Sequence, residues 1–241
     1  MKKNSILVIL LIAMSLVSCA SMKVEPLDAS ANSPIAVVSL AGNDEIYWYG
    51  EEMRSKGLLG EAFDLAAKEK DDAKTSATFG YTTEFMKSVE ELTINALTER
   101  GFKILSKEEI GKYDNLRTRD DSKLLKASPI ITIDGYNMFT PDQKYIVALA
   151  EATGAKLIFQ VYYDFTKIMS KGVGKTGEMT AAVEVAITVF NAEGKNIRRI
   201  TGYASNPERI KVIAGIYDPE ELYKMFPSTM ETAIKTACDK L

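Results

Sequence analysis

Three apolar segments in succession, separated only by turns, constrain this chain more than any other feature. Residues 156–165 are dense in β-branched and aromatic side chains. Residues 179–190 alternate, with Ala181, Val183, Val185, Ile187 and Val189 falling on one side. Residues 196–204 follow after Asn191, Ala192, Glu193 and Gly194, a tight-turn composition. A period of two puts alternate side chains on one face of a strand, and a turn this short joins antiparallel neighbours. The three segments therefore predict an antiparallel meander, with a Gly- and Lys-rich loop at 170–177 between the first two. Such a meander needs an apolar layer against its buried face, and helices must supply it.

The chain holds those helices. Across 83–100, Phe85, Val89, Leu92, Ala96 and Leu97 recur at spacings of three and four, the stripe of an amphipathic helix. Gly101 stands where a left-handed C′ residue ends such a helix. Residues 102–105 read as a short strand. Ser106 and Glu109 then have capping-box spacing, so a short helix to about Tyr113 is expected. Thr140 as cap, Pro141 at the first helical position and Gln143 reaching back predict a helix to Thr153 that buries Ile146, Leu149 and Ala150 and stops at Gly154. Asp218, Pro219 and Glu221 repeat that logic for a last helix, with a kink expected at Pro227 because proline removes a donor. Residues 34–40 form a first apolar, partly β-branched strand. The order of strand, helix, strand, helix, three strands and helix implies an α/β (α+β) fold. It predicts a mixed sheet with a C-terminal antiparallel meander, helices packed on it, and a single domain with insertions at 42–80 and 111–139. Within the first insertion, 51–70 is read as a loop followed by a helix and 71–80 as a connector.

The first eighteen residues have a different layout. Lys2 and Lys3 precede an apolar run from Ile6 to Val17, which ends in Ser18 and Cys19. A basic start, a short apolar stretch and small residues at the cut make a secretory leader. The run is short for a spanning helix, which needs about 20 apolar residues. Leu16, Val17, Ser18 and Cys19 resemble the bacterial lipobox. The resemblance implies a thioether-linked diacylglycerol on Cys19, cleavage before it, and acylation of the freed amine with palmitate-type chains. Two or more chains anchor stably where one does not. The domain organisation read from this is a leader at 1–18, a flexible tether at 19–33 and a globular domain at 34–241. Ala20 after the cysteine favours the outer membrane, by analogy with enteric bacteria, with the domain facing the periplasm.

Composition excludes several functions. The chain contains no histidine, which removes Ser-His-Asp and Cys-His nucleophile activation and histidine zinc sites. The net charge is −3, and −5 once Lys2 and Lys3 leave with the leader, so nothing recommends nucleic acid as a partner. Of two cysteines, Cys19 is assigned to lipid, which leaves Cys238 alone and without a disulfide.

A broader likeness rests on four features together. They are the lipobox at 16–19, the first strand at 34–40, and the helix 83–100 running into Gly101, Phe102, Lys103, Ile104 and Leu105. The fourth is the junction at 148–158, where a helix ends in Gly154 and Ala155 and passes straight into a strand. This combination resembles a group of envelope lipoproteins: the curli-secretion channel lipoprotein, the lipoproteins that activate penicillin-binding proteins, and the amino-terminal domain of the Tol translocation protein. The resemblance implies a non-enzymatic protein acting through an envelope protein partner, with no shared catalytic residues, cofactor or metal.

Three places invite a site. Tyr47, Trp48 and Tyr49, holding the only tryptophan, cannot all face one core on a strand or a helix. They suit a partner, glycan or membrane-interface contact, unless residues 51–70 fold over them. Asp44, Glu45, Glu51 and Glu52 flank that patch. Paired carboxylates can serve glycoside hydrolysis or a divalent cation, but their spacing matches no binding-loop motif, and a solvated acidic face is the favoured reading. Gly172, Gly174, Lys175 and Thr176 suggest a phosphate loop. However, Met169 stands where its first glycine belongs, and the loop lies between strands where no helix begins, so no nucleotide is expected.

Overall fold

The computed structural model describes residues 26–49, 79–116, 130–137, 141–173 and 175–241, apart from the side chains of residues 79–81. The expected loop and helix at 51–70 and the charged stretch at 117–121 lie outside the described residues, as does Cys19.

A seven-stranded mixed sheet with helices packed against it forms a single α/β domain. Its strands are β1 (Ile35–Asn43), β2 (Tyr47–Trp48), β3 (Ile130–Thr132), β4 (Leu157–Val173), β5 (Thr176–Asn191), β6 (Asn196–Ser205) and β7 (Ile210–Val212). The helices are α1 (Phe79–Glu99), α2 (Lys107–Gly111), α3 (Gln143–Thr153), α4 (Pro219–Tyr223) and α5 (Phe226–Cys238). The main path across the sheet runs β3-β1-β4-β5-β6, with β2 added to β4 and β7 to β5. β4, β5 and β6 are the antiparallel meander, β1 pairs parallel with β4, and β3 pairs antiparallel with β1.

β1 reads as a continuous apolar run because it is buried on both faces. Ile35, Val37 and Leu40 join the larger core with α1 and α5, while Ala36 and Val38 join a second cluster with α2 and α3. A bulge between Val37 and Ser39 returns Leu40 to the side of Val37. The larger core centres on Phe165, whose ring meets Phe85, Tyr163 and Phe226 at centroid distances of 5.6, 6.2 and 5.9 Å. Tyr163 is fully buried, and its hydroxyl hydrogen-bonds Thr93 of α1 at 2.9 Å. The loop after β3 is fixed by Tyr136, whose hydroxyl donates to Glu90 of α1 at 2.9 Å.

Four expectations shift. The helix expected from Thr140 begins at Gln143 with Asp142 as cap, because the Asp142 carboxylate accepts the Tyr145 N–H at 2.8 Å. The expected kink at Pro227 is a break between two helices: α4 ends at Tyr223, and α5 starts with Pro227 in its first turn, where its missing N–H costs nothing. The expected strand at 102–105 is a single bridge from Ile104 to Ile35. The expected loop at 170–177 is the end of a long hairpin, with β4 and β5 paired out to Val173 and Thr176. The chain is also fixed before β1, within the stretch read as tether. Leu27 and Ala29 pack against the larger core, and the Leu27 N–H donates to the Leu241 carbonyl. The expected capping box is present, with Ser106 and Glu109 each accepting the other's backbone N–H. No helix among the described residues is long and apolar enough to cross a membrane.

Cys238 lies in α5, 2% exposed, and burial pushes its thiol up to about 12. An unfolded thiol ionises near pH 8.5. The native state therefore binds the extra proton between those values. Its stabilising effect is complete below about pH 8.5 and declines as pH rises towards 12. A thiol-exchange reagent at pH 8 is expected to leave Cys238 unmodified in the folded protein and to modify it on the timescale of unfolding.

Candidate functional site

The three adjacent aromatics separate as a period of two requires. β2 pairs parallel with β4, with Tyr47 opposite Thr166 and Trp48 opposite Lys167. The Tyr49 N–H continues that pairing by donating to the Lys167 carbonyl at 2.9 Å. Trp48 is half-buried against the larger core, while Tyr49 is 69% exposed.

Trp48 sits in a cluster of aromatic rings and ammonium groups. The Tyr217 ring meets it edge-on at 6.5 Å. The Lys167 Nζ lies 5.3 Å from the Trp48 ring centroid and 5.2 Å from that of Tyr217, and donates to the Tyr217 hydroxyl at 3.0 Å. The Lys175 Nζ lies 5.7 Å from the Trp48 centroid. An ammonium over an aromatic face is held by the ring quadrupole, most strongly when partly desolvated. Lys167 is only 8% exposed. The arrangement can accept an anionic group that lies against an aromatic ring.

Tyr49 belongs to a different surface. On one face of the meander Glu184, Arg199, Thr201 and Tyr203 are exposed, and Gln160, Tyr162 and Asp164 partly so. Asp164, Glu184 and Tyr203 lie in one row across β4, β5 and β6. Partial burial pushes the Tyr203 phenol up, and the nearby Tyr49 and Glu184 add to that shift. Ile197 on the same edge strand is also exposed.

Of the flanking carboxylates, Glu51 and Glu52 lie outside the described residues. Asp44 and Glu45 use their backbone carbonyls to accept from Thr82 and Asn43. Among the described residues no three Cys, Asp or Glu side chains gather as they would around a metal ion. No helix opens after Lys175, because Thr176 begins β5. Lys167 and Tyr217 were not singled out by sequence, and Lys175 was considered only as part of a phosphate loop. No local signal marks Lys167: the apolar run that predicts β4 ends at Phe165, and the place of Lys167 opposite Trp48 is set by strand pairing.

Comparison with protein-family models, curated proteins and solved structures finds no match to this chain. The described residues define a class: an α/β domain with a mixed sheet and helices packed against it.

Proposed function

We propose that the chain is a lipid-anchored envelope protein, non-enzymatic, that binds another protein in envelope assembly, secretion or maintenance. The observation that carries this reading is the leader ending in Leu16, Val17, Ser18 and Cys19. The packing of Leu27 against the body supports it, since the eight steps from Cys19 to Leu27 reach at most about 29 Å. A domain so tethered works close to its membrane, in this reading the outer membrane on its periplasmic side. The sheet face with exposed Tyr49, Tyr203 and Glu184 suits the partner, because tyrosines supply rigid contact area with a polar tip.

Radiolabelled palmitate is expected to enter the unaltered protein and not its Cys19→Ser variant, which should leave the membrane fraction. Absence of label from the unaltered protein would sink the anchor. A photo-crosslinker placed at Tyr203 is expected to capture one protein of constant mass. The same probe at Lys195, on the turn before β6, is expected to capture none.

The Trp48 cluster favours a second reading, a small anionic ligand or acidic glycan stacked on the indole. Trp48 is the only tryptophan, so its emission reports binding directly. An acidic sugar that binds there should shift this emission, and Lys175→Met should weaken the response. A panel of such sugars that leaves the spectrum unchanged removes this reading.

A further inference from the structure

We propose that the far end of the β4–β5 hairpin is a membrane-contact tip that seats in the surface of a bilayer bearing acidic phospholipids. Three large aliphatic residues stand exposed there: Val173 is 88% exposed, Ile213 68% and Ile216 61%. They come from separate segments that are locked together. The Gly215 N–H donates to the Lys175 carbonyl at 2.7 Å, and the Ala214 N–H donates to the Thr176 hydroxyl at 2.9 Å. Ile213 and Ile216 exchange both backbone hydrogen bonds across a two-residue turn, at 3.0 and 2.9 Å.

That turn is built in an unfavourable way. Ala214 and Gly215 hold φ of 52° and 84°, where glycine or asparagine is preferred and a Cβ is strained. Strain of this kind persists where the surrounding structure imposes it, and it collects at functional positions. Its result here is two isoleucines held out into solvent.

The charge around the tip is predominantly positive, although Glu178 lies between Lys171 and Lys211 across the strands and Glu208 and Asp218 flank the second segment. Residues 167–180 and 209–217 contain Lys167, Lys171, Lys175, Arg209 and Lys211 against Glu178 alone, in a chain whose net charge is −3. Lys171, Lys175 and Lys211 are exposed beside the aliphatic residues, and Trp48 and Tyr217 lie behind them, against Lys167. Aliphatic tip, lysine ring and aromatic layer follow one another in the order of a bilayer surface. Acyl chains take the first, acidic headgroups the second, and the interface favours tryptophan and tyrosine. A pocket on a protein would call for none of this layering, which is why lipid is the favoured occupant.

β4 runs 17 residues from the end where Leu27 meets Leu241 to this tip, or about 55 Å at roughly 3.3 Å per residue. If lipid also holds Cys19, the chain meets the membrane at two points, through the segment that precedes Leu27 and at the tip. The tip itself does not rest on that anchor.

The test uses the full chain with Trp48→Phe and Val173→Trp, mixed with vesicles of phosphatidylethanolamine and phosphatidylglycerol that carry brominated acyl chains. The tryptophan at 173 is expected to shift to the blue and lose most of its emission. The effect should vanish with phosphatidylcholine in place of phosphatidylglycerol, and with Ile213→Asp and Ile216→Asp added. Each of Lys171, Lys175 and Lys211 changed to Gln should raise the lipid concentration required about fivefold. The chain with Trp48 intact gives a second readout, since its emission should respond to the same vesicles only while both isoleucines are present. Sedimentation with vesicles reports the N-terminal anchor separately. A chain that sediments while position 173 stays unquenched keeps the anchor and overturns the tip. A tip that stays wet on these vesicles but is shielded in native envelope membranes points to a protein occupant, and also overturns the proposal.

Discussion

Gly202→Val is expected to cost more than about 3 kcal/mol of stability, at or beyond the upper end of what overpacking a core does. Gly202 lies in β6 where α5 crosses it. A Cβ there would sit 2.2 Å from the Ala233 carbonyl oxygen, 2.4 Å from the Ala237 nitrogen and 2.8 Å from the Ala237 Cα. All three are backbone atoms of one helix, so no side chain can swing aside to relieve the contact. α5 would have to withdraw as a unit and pull fully buried Phe226, Met230 and Ile234 out of the larger core. Even Gly202→Ala requires this withdrawal, and the branched valine adds to it. Urea denaturation followed by circular dichroism measures the effect. Gly111→Ala is the control, since a Cβ at that α2 position meets nothing within 4 Å; it should be neutral or stabilising by up to about 1 kcal/mol. A Gly202→Val protein with the unaltered midpoint would mean that α5 does not lie on β6.

Gly202 also shows where sequence information runs out. The alternation through 196–204 is enough to make it a strand, because Ile200 and Ala204 face one way and Arg199, Thr201 and Tyr203 the other. That the glycine between them is the floor beneath a helix depends on a contact across more than thirty residues, and nothing local signals it. The meander, α1, α3 and the capping box at Ser106 were legible for the same reason in each case: period and cap chemistry are local properties. The outer part of the β4–β5 hairpin was not. From Ser170 to Glu178 every described residue is exposed or partly exposed, and a two-stranded ribbon with little core beneath it has no apolar period to read. Its glycines and lysines carry the composition of a loop, although the backbone pairs to the end.

The same gap hid the surroundings of Trp48. Three consecutive aromatics announce that they must split between faces, but which one turns inward depends on where β2 pairs. β2 pairs on Thr166 and Lys167, just past the point where the sequence pattern of β4 fades. Lys167 was invisible for a related reason. A lysine in a strand reads as solvent-facing until an aromatic pair on other elements is found to cover it. The start of α3 was a smaller miss. Thr140 was read as the cap, and the carboxylate bond to the Tyr145 N–H gives that role to Asp142.

Asn43 sets the position of β2, and Asn43→Ala is expected to cost about 3 kcal/mol or more. The parallel ladder of β1 on β4 ends with Gly42 opposite Tyr163, and that of β2 begins with Tyr47 opposite Thr166. In the gap, the Asn43 side chain takes the place of a strand. Its Oδ1 accepts the Phe165 N–H at 2.7 Å, and its Nδ2 donates to the Phe165 carbonyl at 2.9 Å and to the Glu45 carbonyl. Asn43 is 2% exposed, and Phe165 is fully buried, so water cannot replace these bonds. Alanine strands two backbone groups of Phe165, each at roughly 1–3 kcal/mol. Asn43→Asp separates hydrogen bonding from shape. The carboxylate keeps the acceptor, loses the donor, and sets a buried charge against the Phe165 carbonyl. Burial raises its native pKa, so this variant should be least stable at neutral pH and recover as falling pH restores a proton that can donate. Because Tyr47, Trp48 and Tyr49 follow directly on this clasp, both variants should also shift Trp48 emission towards that of exposed indole before global unfolding. An Asn43→Asp protein whose stability does not change with pH would show that the amide is not seated on Phe165.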